Sequence, residues 1–218
     1  EWLSKQLSQK NVRQAWFKTS CEMLSDAPSY NVIGEIKGSS HPEEIITIGG
    51  HLDSWDLGEG AHDDGAGVVQ TIEVMRVLKA LGYKPKHSLR FVLFANEENG
   101  LRGGTKYALE AEEKKEKHIF ALESDAGGFT PRAFTVGGLK PAQLQKMQSW
   151  VKWLAPYGVS EITNGGGGAD IGPLNRLFTT PVCELEPDPQ RYFDYHHART
   201  DVFENVNKRE LLLGAINM

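Results

Sequence analysis

The chain has 218 residues, 39% hydrophobic and 24% charged, with a formal net charge of −5. That length suits one α/β domain with a sizeable core, and the acidic balance gives no support to nucleic-acid binding, which draws on a basic surface. No apolar run reaches the roughly 18 residues of a membrane span, and two cysteines, Cys21 and Cys183, build no disulfide framework, although one bridge between them stays open.

Residues 1–20 mix Lys, Gln, Asn and Trp with weak helical periodicity. They read as a docked terminal helix or, with the rest of residues 1–30, as the remnant of an upstream region. The opening Glu1-Trp2-Leu3 has neither an initiator Met nor a signal pattern, so a processed product or a piece of a longer precursor is expected. Residues 31–37 alternate as a partly exposed strand, 38–42 form a turn, and 45–48 are a short buried strand followed by a long loop. A helix is expected from Asp63 or Asp64 to Gly82, with Val68, Ile72, Met75 and Leu78 on its apolar stripe and Val69 widening it. Residues 89–95 read as a strand covered on both faces. Residues 107–117 read as a charged helix whose Glu-rich start and Lys-rich end suit the helix dipole.

A strand at 118–122 ends at Glu123-Ser124-Asp125, 133–136 suits an edge strand, and 141–154 is a helix with Pro141 in its first turn. Residues 180–185 are a strand with Pro181 near its start. A terminal helix begins near Glu204, with Leu211, Leu212 and Ile216 as its apolar face. Strands alternating with helices predict a three-layer α/β/α sandwich about a central, mostly parallel (mixed) sheet. No internal repeat or interdomain linker is visible, so residues 1–218 read as a single domain.

The densest chemistry lies in residues 49–67, where His51, Asp53, Asp56, His62, Asp63 and Asp64 sit among glycines directly after an apolar run. Glu97-Glu98-Asn99-Gly100 follows another apolar run, Asp125 ends a third, and His196 and His197 precede Asp201. Imidazoles and carboxylates gathered at strand ends suit a hydrolytic metal site, since zinc takes three or four N or O ligands. Two metals sharing a carboxylate would need five side chains, and spacing alone does not assign the pairs. Asp63 or Asp64 also suits the cap of the helix that follows. The four glycines at 165–168 lack the Gly-Lys-Ser/Thr ending of a phosphate loop and read as a flexible loop near the cleft. Asp170, just past it, suits attraction of a substrate ammonium or the start of a helix. Trp55 and Tyr195 suit either pocket lining or packing. His41, His62, His87 and His118 read as ordinary residues.

In this order, His51-Leu52-Asp53, Gly60-Ala61-His62-Asp63-Asp64-Gly65-Ala66-Gly67, Glu97-Glu98-Asn99-Gly100, Glu123-Ser124-Asp125 and His197-Ala198-Arg199-Thr200-Asp201 resemble the co-catalytic di-zinc aminopeptidases, peptidase family M28. The match spans about residues 31–205. The run from Gly50 to Gly67, with Asp53-Ser54-Trp55-Asp56, resembles the plasma glutamate carboxypeptidase (carboxypeptidase Q-like) branch. The resemblance implies a zinc-exopeptidase-like fold and two Zn²⁺ ions bridged by Asp63. His51 and Asp125 would complete one metal, and Glu98 and His197 the other. Glu97 would be the general base, and Asp53 would sit behind His51 and fix its ring. The gap from His197 to Asp201 fits the family pattern, which makes His196 a neighbour or pocket residue. The expected activity is that of an aminopeptidase or dipeptidase, cleaving the N-terminal bond of small peptides with a hydroxide held between the metals. The same resemblance implies a secreted or periplasmic protein with a protease-associated domain elsewhere in the full-length chain. Oligomeric state is left open. The alternatives are a glutaminyl cyclase-like enzyme with one zinc and a peptidase-like binding domain without catalysis.

Overall fold

The apolar runs become the strands of one twisted sheet with helices on both faces. A computed structural model describes residues 2–9, 14 and 16–218. In chain order the elements are α1 (Trp2–Ser8), β1 (Val32–Ile36), β2 (His41–His51), α2 (Gly65–Ala80), β3 (His87–Phe94), α3 (Arg102–Glu113), β4 (Lys117–Glu123), β5 (Pro131–Gly137), α4 (Pro141–Gln148), α5 (Val151–Leu154), β6 (Glu161–Asn164), α6 (Gly172–Phe178), β7 (Val182–Pro187), α7 (Tyr192–Tyr195) and α8 (Lys208–Asn217). The strand order is β1-β3-β2-β4-β7-β5-β6. Strands β3, β2, β4 and β7 run parallel, while β1 and β5 pair antiparallel with β3 and β7.

This is the three-layer α/β/α sandwich with a mixed, largely parallel sheet that alternation predicts. On one face Val92, Phe94, Ala121 and Val182 of the sheet pack on Tyr107 and Ala108 of α3 and Leu174 of α6. On the other, Ile48 and Phe91 pack on Val74 of α2, and Leu122, Phe134, Cys183 and Leu185 pack toward α4 and α5. Full burial of one such side chain is worth about 1.5–3 kcal/mol.

Several boundaries differ from the periodicity. The stripe expected on α2 is met in part: Met75 and Leu78 pack against Ile48, Val74 and Phe91, but Ile72 and Val69 are exposed, while Gln70, Thr71 and Val74 are buried. Gln70 is a tolerated buried amide because its Oε1 accepts from the Ser124 hydroxyl at 2.7 Å and its amide donates to the Leu211 carbonyl at 3.3 Å. Helix α3 starts at Arg102, not 107, and has no acid in its first turn and no base in its last, so the dipole argument fails for it. Its Gly103 and Gly104 approach the backbones of Ala95 and Asp170 more closely than a Cβ would permit, which explains glycines in a helical turn.

Strand β5 is not an edge; the short β6, which carries weak alternation, takes that place. The helix expected over 141–154 breaks into α4 and α5. Helix α8 begins at Lys208, where the Asn207 side chain accepts from the Arg209 and Glu210 N–H groups. Its inward face is Gly214 and Asn217, leaving Leu212 and Ile216 40% and 56% exposed. Helix α1 buries no residue, so it is not docked, and the parts of that expectation at residues 1, 10–13 and 15 lie outside the described residues. Cys21 is exposed and Cys183 buried, both as free thiols, so no bridge joins them.

The entry to α2 is tightly packed. A Cβ on Gly67 would collide with the Ser124 carbonyl oxygen and the Asp64 carboxylate. Gly67→Ala is expected to cost more than the roughly 1–3 kcal/mol of ordinary overpacking, read from urea unfolding. A loss below about 0.5 kcal/mol would show that α2 shifts freely and that this close approach is not needed.

Candidate metal centre

Parallel strands place their C-terminal ends on one edge, where the loops carry the site of an open α/β sheet. His51 is the last residue of β2. After β3 the chain turns through Asn96 in the left-handed region (φ 61°), which asparagine tolerates, and presents Glu97 and Glu98. Asp125 lies two residues past the end of β4. Asp63 comes from the loop before α2, joined to Asp64 by a cis peptide, and His197 (φ 54°) from the loop after α7.

These side chains converge. His51 Nε2 lies 3.3 Å from Asp63 Oδ1 and 3.1 Å from Asp125 Oδ1. His197 Nε2 lies 3.2 Å from Asp63 Oδ2 and 3.0 Å from Glu98 Oε2. The two oxygens of Asp63 therefore face two different ligand pairs. His51–Asp63–Glu98 is one set of donor atoms lying within 4.8 Å of one another; His51–Asp64–Asp125 and Asp63–His196–His197 are others.

The donor set fits divalent metal. Asp63 Oδ2 and Glu98 Oε1 are buried without a hydrogen-bond partner, a costly state for a carboxylate unless a cation satisfies it. His51 Nδ1 lies 2.9 Å from the Asp53 carbonyl oxygen; a proton assigned there leaves the Nε2 lone pair turned to the carboxylates. Burial opposes protonation of His51, yet Asp125, Asp63 and Asp64 outweigh it and raise its pKa. The cluster thus draws positive charge, and a bound ion displaces a proton.

The neighbouring residues divide by role. The Asp53 carbonyl is nearer the His51 ring than its carboxylate, which lies 3.8 Å away. That carboxylate instead accepts from the backbone N–H groups of Glu97 (2.9 Å) and Glu98 (3.2 Å). Asp64 caps α2 by accepting from Gly67 N–H and, with its other oxygen, accepts from His51 N–H, both at 2.9 Å. Glu97 is half-buried, and its pKa is raised by burial and by Asp125, Glu98 and Asp63, against the opposing effect of His51.

Trp55 donates its indole N–H to Glu98 Oε2 at 2.6 Å and tilts against the His197 ring. His196 stacks on His197 at 3.7 Å, with Nε2 3.5 Å from Asp63 Oδ2, so both imidazoles face the same carboxylate oxygen. Tyr195 packs on His62 and Phe129. Asp170 is 0% exposed, and the cap position of α6 is Ile171, whose side chain makes no capping hydrogen bond. Asp170 is therefore neither open to a substrate ammonium nor the helix cap. Its carboxylate is buried without a partner and its pKa is raised to about 7, first by burial.

Farther along this edge, burial, Glu186 and Asp125 raise Glu184 from 4.5 to about 7. A carboxyl with a higher pKa folded than unfolded takes up a proton on folding, so its contribution to stability falls as pH rises from about 4.5 through about 7. Glu184→Gln is expected to raise the metal-free Tm above pH 7 and to give no gain near pH 4.5. Equal gains at both ends of the range would assign the effect to packing instead.

Family comparison matches the model of peptidase family M28 over residues 31–215. Carboxypeptidase Q of Bos taurus is 32% identical over 215 residues, covering 99% of this chain and 45% of its own length. The Xenopus laevis protein of that name is 37% identical over 177 residues, covering 81% of this chain and 37% of its own. The chain thus spans less than half the length of the curated relatives it matches. A peptidase M28 precursor from Shewanella amazonensis SB2B superposes with a TM-score of 0.79 at 38% identity, over 86% of this chain and 42% of that one. A zinc aminopeptidase from Bacillus subtilis shares the fold at 22% identity, with a TM-score of 0.66 over 85% of this chain and 49% of its own. The match over most of the chain, together with the fold and the ordered convergence of His51, Asp63, Glu98, Asp125 and His197, establishes that this chain belongs to peptidase family M28.

Proposed function

We propose that this chain is the catalytic part of a di-zinc exopeptidase, an aminopeptidase or dipeptidase acting on small peptides with a free amino terminus. The observation that carries the reading is the division of Asp63: Oδ1 faces His51, which also meets Asp125, and Oδ2 faces His197, which also meets Glu98. A single-zinc, cyclase-like site has no use for a carboxylate with ligands on both sides. Family membership and the shared fold of a zinc aminopeptidase support the same reading.

His51, Asp63 and Asp125 would hold one ion, and Asp63, Glu98 and His197 the other. Zinc bound there supplies Lewis-acid polarisation of the scissile carbonyl and acidification of water. The three carboxylates balance three of four positive charges, leaving one for an oxyanion. Glu97 takes the proton of the attacking water and returns it to the departing amine. Its carboxylate is suited to that exchange because it has no hydrogen bond or ion pair among the described residues. Asp53 keeps Glu97 and Glu98 in register by holding both backbone N–H groups. Trp55 steadies the Glu98 carboxylate by donating its indole N–H to Oε2.

The reading extends to residues 1–218 as one catalytic domain of a longer, secreted or periplasmic protein with a protease-associated domain, on the strength of the family relationship alone. The test is metal content measured together with hydrolysis of a panel of dipeptides and aminoacyl anilides. Two zinc ions per chain and turnover only of substrates with free amino termini are expected. One zinc with a cyclised product would favour the cyclase reading, and peptide binding without hydrolysis would favour a binding domain.

A further inference from the structure

Asp201 is 3% exposed and lies on the segment that also delivers His197. Its carboxylate is spent on backbone: Oδ1 accepts from His62 N–H at 2.6 Å and Oδ2 from Asp63 N–H at 3.1 Å. Its own carbonyl accepts from Glu59 N–H at 2.7 Å. The contact between the two segments is close enough that a Cβ on Gly58 would run into the Ala198 and Asp201 carbonyl oxygens, at 2.7 and 2.9 Å. Among the described residues it makes no ion pair with a base that would give it a separate role.

A pattern links it to two other carboxylates. Asp64, beside Asp63, holds the His51 N–H, and Asp53, near His51, holds the Glu97 and Glu98 N–H groups. Each of these ligand-bearing segments carries an additional carboxylate that grips the backbone of another. Asp201 is the member of this set that ties the His197 segment to Asp63. The backbone N–H of Asp63 can reach no helical partner here, so a carboxylate is its acceptor.

We propose that Asp201 is a positioning residue: by clamping the His62 and Asp63 N–H groups it fixes Asp63 Oδ2 against His197 and so sets the affinity of the ion shared by Asp63, Glu98 and His197. The inference rests on the di-zinc reading above. It differs from that reading in what it requires, since it concerns the order and ease of metal release rather than hydrolysis. Loss of an outer partner of a metal ligand typically costs 10–100-fold in affinity. The Asp125–His51 half of the site has its own clamp in Asp64 and should be less affected.

The test compares the full chain with Asp201→Ala and Asp201→Asn, using zinc titration against a competing chelator, with the metal-free Tm as the control for folding. The Asn variant keeps one acceptor and turns an NH₂ toward the other N–H, so it breaks the clamp while keeping the volume. The expected result is one zinc equivalent retained at the parent affinity and the other weakened 10–100-fold. Excess zinc should restore kcat, and KM should stay within about twofold. Should Asp201→Ala fail to fold, Asp201→Asn decides. Parent-like affinity for both equivalents, or equal weakening of both, in a folded variant would overturn the proposal. A parent chain that binds two zinc ions yet hydrolyses nothing would sink the peptidase reading and leave this one standing.

Discussion

Glu97→Gln is expected to bind two zinc ions with unchanged affinity and to lose about 10²–10⁴-fold in kcat, the usual worth of a positioned general acid–base. The two effects separate because Glu97 and its neighbour have different surroundings. Glu98 Oε2 lies 3.0 Å from His197 and accepts from Trp55, so it is committed to the metal cluster. The Glu97 side chain has no such commitment among the described residues, and burial together with Asp125, Glu98 and Asp63 raises its pKa. A carboxylate that is easier to protonate is a better acceptor for the proton of an attacking water. The amide of Gln is nearly isosteric and leaves the Asp53 grip on the backbone N–H groups in place, so the loop should not move. Steady-state kinetics on metal-loaded protein, with zinc content measured on the same samples, checks this. A metal-loaded Gln variant within threefold of parental kcat would remove Glu97 from the mechanism.

Asp63→Asn should have the opposite signature, with metal content falling from two to below one per chain. An amide offers one weakly basic oxygen where the carboxylate offers two, and those two face separate ligand pairs. The affinity loss should exceed the roughly 100-fold ceiling that outer partners reach. The metal-free fold should change little, because Asp63 Oδ2 has no hydrogen bond to lose. The zinc-dependent rise in Tm is what disappears: for the parent at 1,000 times its Kd, binding adds about 4 kcal/mol per site. Thermal melts with and without zinc, at fixed concentrations, read this directly. A variant that still holds two ions and melts with the parental zinc dependence would show that Asp63 does not join the two halves.

The strands and the candidate ligands were legible because each depends on residue type at a local position. An apolar run leading into an imidazole or acids reads as a strand delivering them at its end, as β2 does for His51, β3 for Glu97 and Glu98, and β4 for Asp125. Strand β2 nevertheless runs on through Gly49 and Gly50, where the sequence reads as loop. Other features were hidden because local rules were overridden at a contact. Gly103 and Gly104 look like a loop, yet they open α3 because two backbones pass too close for side chains. Gln70 looks solvent-facing, yet it is buried where Ser124 and the α8 backbone supply hydrogen-bond partners, and Thr71 beside it is buried with its hydroxyl unpartnered. Asp170 follows four glycines and looks accessible, yet its carboxyl is enclosed beside Glu123, which accepts its backbone N–H.

The linear order of residues determined the chemistry on offer: two kinds of donor, placed after parallel strands, in the succession typical of one peptidase family. It did not determine how like residues divide the work. Asp53, Asp63, Asp64, Asp125 and Asp201 share one side chain and are interchangeable on paper. In the fold, Asp63 and Asp125 face imidazole nitrogens, while Asp53, Asp64 and Asp201 accept from backbone N–H groups. The reason is directional: a hydrogen bond or a coordination contact is decided by where a carboxylate points within a few tenths of an ångström, and only the packing of segments far apart in the chain sets that direction.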